Sequence, residues 1–217
     1  EFLHKTGLGR ISFVEIQPDG TTSTSQPILE KPYHLSYPFI FEHGGEYYMI
    51  PETAQQRAID MYRCTRFPDQ WAFHKTIMRD LRAVDATLID YEGRWWMFVN
   101  IAGEGGSTWD ELHLFYADDP LTDQWIPHPM NPIISDVRFA RPAGHIFRRD
   151  GQLIRPSQDS SLRYGYALNL NRITKLTIDD YEEELLEKLE PPNEGDILAV
   201  HTHNFSGNLT VVDAMLK

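Results

Sequence analysis

The stretch Phe39–Thr53, FIFEHGGEYYMIPET, sets a glycine turn between two runs of bulky apolar residues. Nearly the same pattern returns at Thr87–Ala102, TLIDYEGRWWMFVNIA, and in a worn form at His145–Asp159, HIFRRDGQLIRPSQD. Each copy reads as an apolar strand, a turn at Gly45, Gly93 or Gly151, and a second strand opening on bulky residues. β-Branched and aromatic residues punctuated by Gly, Pro and Asp favour strands over helices. A second hairpin follows the first two copies. Ile59-Asp-Met-Tyr-Arg63 precedes Phe67-Pro-Asp-Gln-Trp71, and Leu112-His-Leu-Phe-Tyr116 precedes Pro120-Leu-Thr-Asp-Gln-Trp125.

The unit is therefore four strands that recur at about 50 residues, the grammar of a β-propeller blade. A blade cannot bury both faces alone, so Trp71 and Trp125 are expected to pack between neighbours. The fold class predicted is all-β, a five-bladed β-propeller type with an incomplete ring. Leu8–Pro27, with its turn at Gln17-Pro-Asp-Gly20, reads as the outer half of an earlier blade. His201–Met215 reads as the opening hairpin of a later one. On this reading residues 1–217 form one domain that lacks the inner strands of its first blade. An open edge at Leu8–Glu15 then invites a homodimer through strand pairing. One helix is expected at 177–189, with Thr177 as its cap and acids crowding the first turn.

Composition narrows the function classes. The 217 residues suffice to bury a sizeable core. A net charge of −12, from 20 Lys and Arg against 32 Asp and Glu, argues against a nucleic-acid partner. No apolar run approaches the roughly 20 residues that a membrane helix requires. The single cysteine, Cys64, excludes an intrachain disulfide and a Cys-based zinc site. With no leader in view, the compartment is left open, leaning to the cytoplasm. No Gly-rich phosphate loop, Gly-x-Ser-x-Gly elbow or Cys–His pair occurs, which removes nucleotide hydrolysis and serine or cysteine catalysis.

Five segments taken together carry a resemblance: His34-Leu-Ser-Tyr-Pro38, Met49-Ile-Pro-Glu-Thr53, Val84-Asp-Ala-Thr87, Asp110-Glu-Leu-His-Leu-Phe115 and Arg155-Pro-Ser-Gln-Asp159. From about Gly9 to Leu216 the chain resembles the N-terminal domain of the glucosamine inositolphosphorylceramide transferases, a family with bacterial relatives beside formyltransferase-like modules. That family is similar to the five-bladed propellers of family 43 glycoside hydrolases, whose catalytic carboxylates stand on the innermost strands of successive blades. The resemblance implies that Asp85 matches the Asp that orients and tunes the general acid. It also implies that His203 matches an inner-strand His of the last blade, which can face an axial ion such as Ca²⁺; no cofactor is otherwise required. Two departures stand out. The first-blade Ala-Asp-Pro segment that supplies the general base has no counterpart, and the acid position in Ala140-Arg-Pro-Ala-Gly144 holds Arg141.

Glycoside hydrolysis needs two carboxyl groups, about 5 Å apart for retention and about 6.5–9.5 Å for inversion. Asp85, Glu52 and Asp110 are the catalytic candidates, with Glu111 and Asp159 also near the expected cavity. Asp110 and Glu111 are adjacent, so on a strand they face opposite ways and at most one can serve. Arg141 and Arg155, with Arg138 and Arg163, could grip an anionic or phosphorylated sugar through bidentate bonds. The alternative is that they pair structurally with Asp136, Asp150 and Asp159. Gln158, Asp159, Tyr164 and His34 would line the pocket, and Trp109, closing the loop from Glu104, could stack on a sugar face. His201-Thr-His203 would place two imidazoles on one strand face, a spacing compatible with a metal, with His203 as the ligand.

Three functions compete. The first is a carbohydrate-recognising propeller tied to glycan or glycolipid modification, with a sugar in the axial funnel. The second is a glycoside hydrolase-like enzyme, or part of a sugar transferase, using Asp85. The third is a protein-interaction scaffold, which fold alone does not separate from the others.

Overall fold

The computed structural model describes residues 1–191, 196–207 and 209–217. Among the described residues, regular structure is strand apart from a helical turn at Ala54–Gln56. Chain contacts divide into two compact units, 1–83 and 84–217.

In the first unit, β1 (Phe2–Leu3) pairs with β2 (Leu8–Gly9), and β3 (Ile11–Phe13) with β4 (Gln26–Leu29), all antiparallel. The Gln17–Gly20 turn between β3 and β4 closes with the Gly20 N–H donating to the Gln17 carbonyl at 2.9 Å. A four-stranded sheet follows in chain order: β5 (Ser36–His43), β6 (Glu46–Glu52), β7 (Ala58–Arg66) and β8 (Gln70–Arg79). The stretch quoted first is the β5–β6 hairpin. His43 lies opposite Glu46, and Gly44 and Gly45 adopt φ of 62° and 79°. A two-residue hairpin loop needs that left-handed pair to match the twist of its strands. Met49 and Tyr62 of the sheet share a buried core with Ile11, Leu29 and Leu35, and Trp71 packs against it. The β3–β4 hairpin and the sheet are thus neighbours that bury each other, as the repeat predicts.

The second unit holds two four-stranded meanders. The first runs β9 (Arg82–Tyr91), β10 (Arg94–Ala102), β11 (Glu111–Ala117) and β12 (Ile126–Pro127), and β13 (Ile134–Ser135) also pairs with β11. The second runs β14 (Phe147–Arg149), β15 (Gln152–Asp159), β16 (Ala167–Leu176) and β17 (Tyr181–Leu189). Short strands complete the unit: β18 (Ile197–Ala199), β19 (His203–Ser206), β20 (Leu209–Val212) and β21 (Met215–Leu216). Of these, β18 pairs with β21 and β19 with β20. Trp96, Phe98, Leu112 and Leu114 of the first meander interlock with Ile146, Leu153, Ile173 and Tyr181 of the second. Trp125 is buried as well.

The helix expected at 177–189 is not formed; most of that span is β17, the outer strand of its sheet. Thr177 accepts an N–H bond as foreseen, from Asp180 at 2.9 Å, but it closes the turn into β17 instead of capping a helix. Helix propensity is a weak preference that tertiary partners override. Here the acids meet bases from the other strands of the sheet: Glu183 with Arg155 of β15 at 2.6 Å, Glu187 with Arg149 of β14 at 3.2 Å, and Glu184 with Arg172 of β16. Charges on an edge strand also discourage further pairing.

Candidate functional site

Asp85 lies early in β9 with φ of 57°, a left-handed conformation that costs residues with a Cβ, though Asp and Asn less than the rest. It is 2% exposed. Arg141, in the irregular segment before β14, donates from Nε to Asp85 Oδ2 at 2.5 Å and is buried too. The backbone around Arg141 is pinned, because the Gln158 N–H donates to its carbonyl at 2.8 Å and Pro142 bridges Ser157 of β15. Two oppositely charged groups removed from water require such registration, since either one left alone carries its full desolvation cost.

The pair leads outward to aromatic rings. The Arg141 guanidinium lies over the Tyr164 ring at 5.0 Å, a cation–π geometry. Tyr164 in turn meets Trp109 at 5.7 Å between centroids and His201 edge-on at 5.3 Å. Trp109 and Tyr164 are 36% and 39% exposed. His201 Nδ1 pairs with Asp213 Oδ2 at 2.6 Å, and Asp213 Oδ1 accepts the N–H groups of His201 and Thr202. Burial pushes the Asp213 carboxyl up, but the bond and charge of His201 and these N–H groups outweigh it and hold it below its ordinary range. Six residues between positions 85 and 213 thus form one connected patch, buried and ionic at one end and aromatic and half-exposed at the other.

The family described as "Glucosamine inositolphosphorylceramide transferase 1, N-terminal" matches residues 5–196. The chain belongs to this family. A glucosamine inositolphosphorylceramide transferase 1 of Oryza sativa subsp. japonica is 39% identical over 158 residues, covering 71% of this chain and 21% of that protein. The Arabidopsis thaliana protein of the same name is 34% identical over 171 residues, covering 77% and 22%. The chain therefore spans about a fifth of the length of these relatives.

Among solved structures, the native arabinanase of Bacillus subtilis superposes with a TM-score of 0.57 at 15% identity, covering 82% of this chain and 64% of the other. An exo-β-1,3-galactanase of Phanerochaete chrysosporium gives 0.52 at 10% identity, covering 84% and 42%. At such identities the likeness concerns fold alone, and the fold is the β-propeller type of family 43 glycoside hydrolases.

The remaining sequence candidates divide sharply. Arg155 is turned inward: it is 1% exposed and donates to both carboxylate oxygens of Glu183 and to the Phe139 carbonyl. Arg138 pairs with Asp136, and Arg163 donates to the Leu198 carbonyl. Of the structural pairings with Asp136, Asp150 and Asp159, the structure shows Arg138–Asp136; Asp159 takes Lys188 instead, and Arg141 enters the site through Asp85. Asp159 holds Lys188 at 3.0 Å and the Ser161 N–H at 2.9 Å, anchoring the loop that carries Tyr164. Gln158 donates to the Pro142 carbonyl at 3.3 Å, which supports Arg141 from behind. Asp110 stands half-buried just ahead of β11, next to Trp109. Glu52 and His34 belong to the first unit. There Ser36 donates to Glu52 at 3.1 Å, and His34 Nδ1 accepts the Gly9 N–H at 2.9 Å.

His201 and His203 have different neighbours. His201 precedes β19, so the alternation rule does not reach it, and it turns to Asp213. His203 stacks on Phe147 at 5.8 Å. Among the described residues no three His, Cys, Asp or Glu side chains gather as a metal-binding group. The His201–Asp213 pair was not foreseen. Its signal lay in the hairpin register, where His203 opposite Val212 puts residues 201 and 202 near 213.

Proposed function

We propose that this domain recognises a carbohydrate at the Trp109–Tyr164–His201 row, within a protein that modifies a glycan or glycolipid. The observation that carries the reading is the pair of half-exposed aromatic rings in contact with each other and backed by the buried Arg141–Asp85 pair. Sugar rings present apolar C–H faces that such rings can cover, while hydroxyls find donors and acceptors at the polar rim. Membership of a glycolipid-transferase family supports a sugar as the ligand. The ion pair already satisfies the charge of Arg141, so recognition rests on stacking rather than on an anionic group of the sugar.

The strained backbone of Asp85 favours a second reading, glycoside hydrolysis. What closes on Asp85, however, is a guanidinium, where hydrolysis calls for a second carboxyl.

The test is titration of the protein with a panel of neutral and acidic monosaccharides and short glycans, followed by calorimetry and Trp fluorescence. Trp109→Ala and Tyr164→Ala are each expected to weaken binding about fivefold, as loss of one stacking contact should. Unchanged affinity in the double variant would overturn the reading. An Asp85→Asn variant that binds normally but stops releasing sugar would move the assignment to the hydrolase.

A further inference from the structure

Strand β9 carries Asp85 near its start and Tyr91 at its end, about 20 Å away for a strand of this length. At the Tyr91 end lies a cavity of about 300 Å³ that has no part in the aromatic row. Arg148, Arg172 and Lys175 line it, together with Tyr91, Gln152 and Thr174. Three cations around one hollow run against the composition of a chain whose net charge is −12. From this we infer a second binding site, for a compact oxyanion such as the phosphate or sulfate of an esterified sugar or polyol.

The arrangement of donors supports it. Arg148 stacks over the Tyr91 ring at 5.4 Å and spends one N–H on the Gly151 carbonyl at 3.2 Å, which fixes its plane at the rim. Arg172 has a buried Nε that meets no acceptor among the described residues, although its terminal nitrogen reaches Glu184. Lys175 meets Asp180 at 2.9 Å. Among the described residues no carboxylate lines the hollow itself; the acids nearest its cations are Glu184 beside Arg172, Asp180 beside Lys175 and Glu182 opposite Lys175 in register, with Glu92 acting on Tyr91. Both ion pairs are solvent-exposed, and exposed pairs contribute little, so an anion can exchange with the carboxylates at small cost. An oxyanion offers a guanidinium two parallel acceptors. The size of the hollow suits one phosphorylated ring and excludes a long chain.

The experiment follows the backbone amides of Arg172–Leu176 in the whole chain by NMR during titration with inorganic phosphate, sulfate and glucose 6-phosphate. Vesicles of phosphatidylcholine with and without a phosphoinositide are then tested by co-sedimentation. Saturable shifts with millimolar affinity, weakened at least about tenfold in an Arg148→Gln/Lys175→Gln variant, are expected. Tighter binding of glucose 6-phosphate than of phosphate assigns a soluble ester, and retention on phosphoinositide vesicles assigns a lipid headgroup; either supports the site. Both substituted side chains are exposed, so an unchanged melting curve certifies the variant's fold, and Trp109→Ala should leave the shifts intact. No shift at about 10 mM of any anion, or equal shifts in the double variant, overturns the inference.

Discussion

Gly144 passes directly beneath the backbone of His203: a Cβ placed on it would stand 2.1 Å from the His203 carbonyl oxygen. Its φ of 125° is one that L-residues rarely adopt. At the same crossing the His203 N–H donates to the Ala143 carbonyl at 2.8 Å, and the His145 N–H to Asn204 Oδ1 at 3.1 Å. The β19–β20 hairpin is therefore docked on the very segment that presents Arg141.

Gly144→Ala should loosen that docking. The clash is with backbone, which cannot swing aside, and the strained φ adds to it, so a loss of at least about 2 kcal/mol is expected. Gly151→Ala is the control, because φ is 78° there but nothing lies within 4 Å of the added Cβ. It should cost only about 1 kcal/mol, the conformational component alone. Urea midpoints of the two variants decide the matter, and equal values would show that the crossing at His203 does not limit stability.

Replacing Arg141 by Leu leaves Asp85 buried without its partner. A loss of about 3–5 kcal/mol is expected, as for other broken buried pairs. Asp85→Asn/Arg141→Leu should recover much of it, since Asn tolerates the left-handed backbone and carries no charge. Trp109 fluorescence offers a second readout, because Tyr164 loses the guanidinium that backs it. A double variant no more stable than Arg141→Leu would show that the pair is not the cause.

How legible was this site before the structure? The strand repeat was, because Gly45, Gly93 and Gly151 sit at turns whose backbone demands glycine, and alternating apolar residues have few other uses. Asp85 and Arg141 were singled out separately, yet their contact across 56 residues depends on how two meanders pack, which a local pattern does not encode. The errors share one cause. Acids at 182–184 read as a helix face because their partners, Arg155 and Arg172, come from other strands. Arg155 read as a ligand clamp for the same reason.

That correction has its own consequence. Arg155→Met should destabilise the protein by about 3 kcal/mol or more by leaving the Glu183 charge with the Tyr181 hydroxyl in place of its ion partner, whereas Arg155→Met/Glu183→Leu should recover much of that loss. In the folded fraction neither variant should alter sugar affinity, in contrast to Trp109→Ala. A selective loss of affinity with normal stability would return Arg155 to the binding set.

Acid should act on the second unit in two stages. Burial holds His113 and His203 below the ordinary imidazole value of 6.5; for His203, Arg149 adds to this and Glu187 opposes it. The unfolded chain then takes up these protons first, so the stabilisation is complete above pH 6.5 and is lost as pH falls through the lower folded values. Asp213 is also depressed, from 3.8, and its contribution persists until pH drops below that point and through its folded value. Melting temperatures recorded from pH 8 to 3 should fall first below about 6.5 and again below about 4. His203→Gln should flatten the first decline and Asp213→Asn the second, whatever either does to the plateau. Identical profiles in parent and variants would place the acid sensitivity elsewhere, and with it the claim that the β19–β20 hairpin is held by neutral His203 and ionised Asp213.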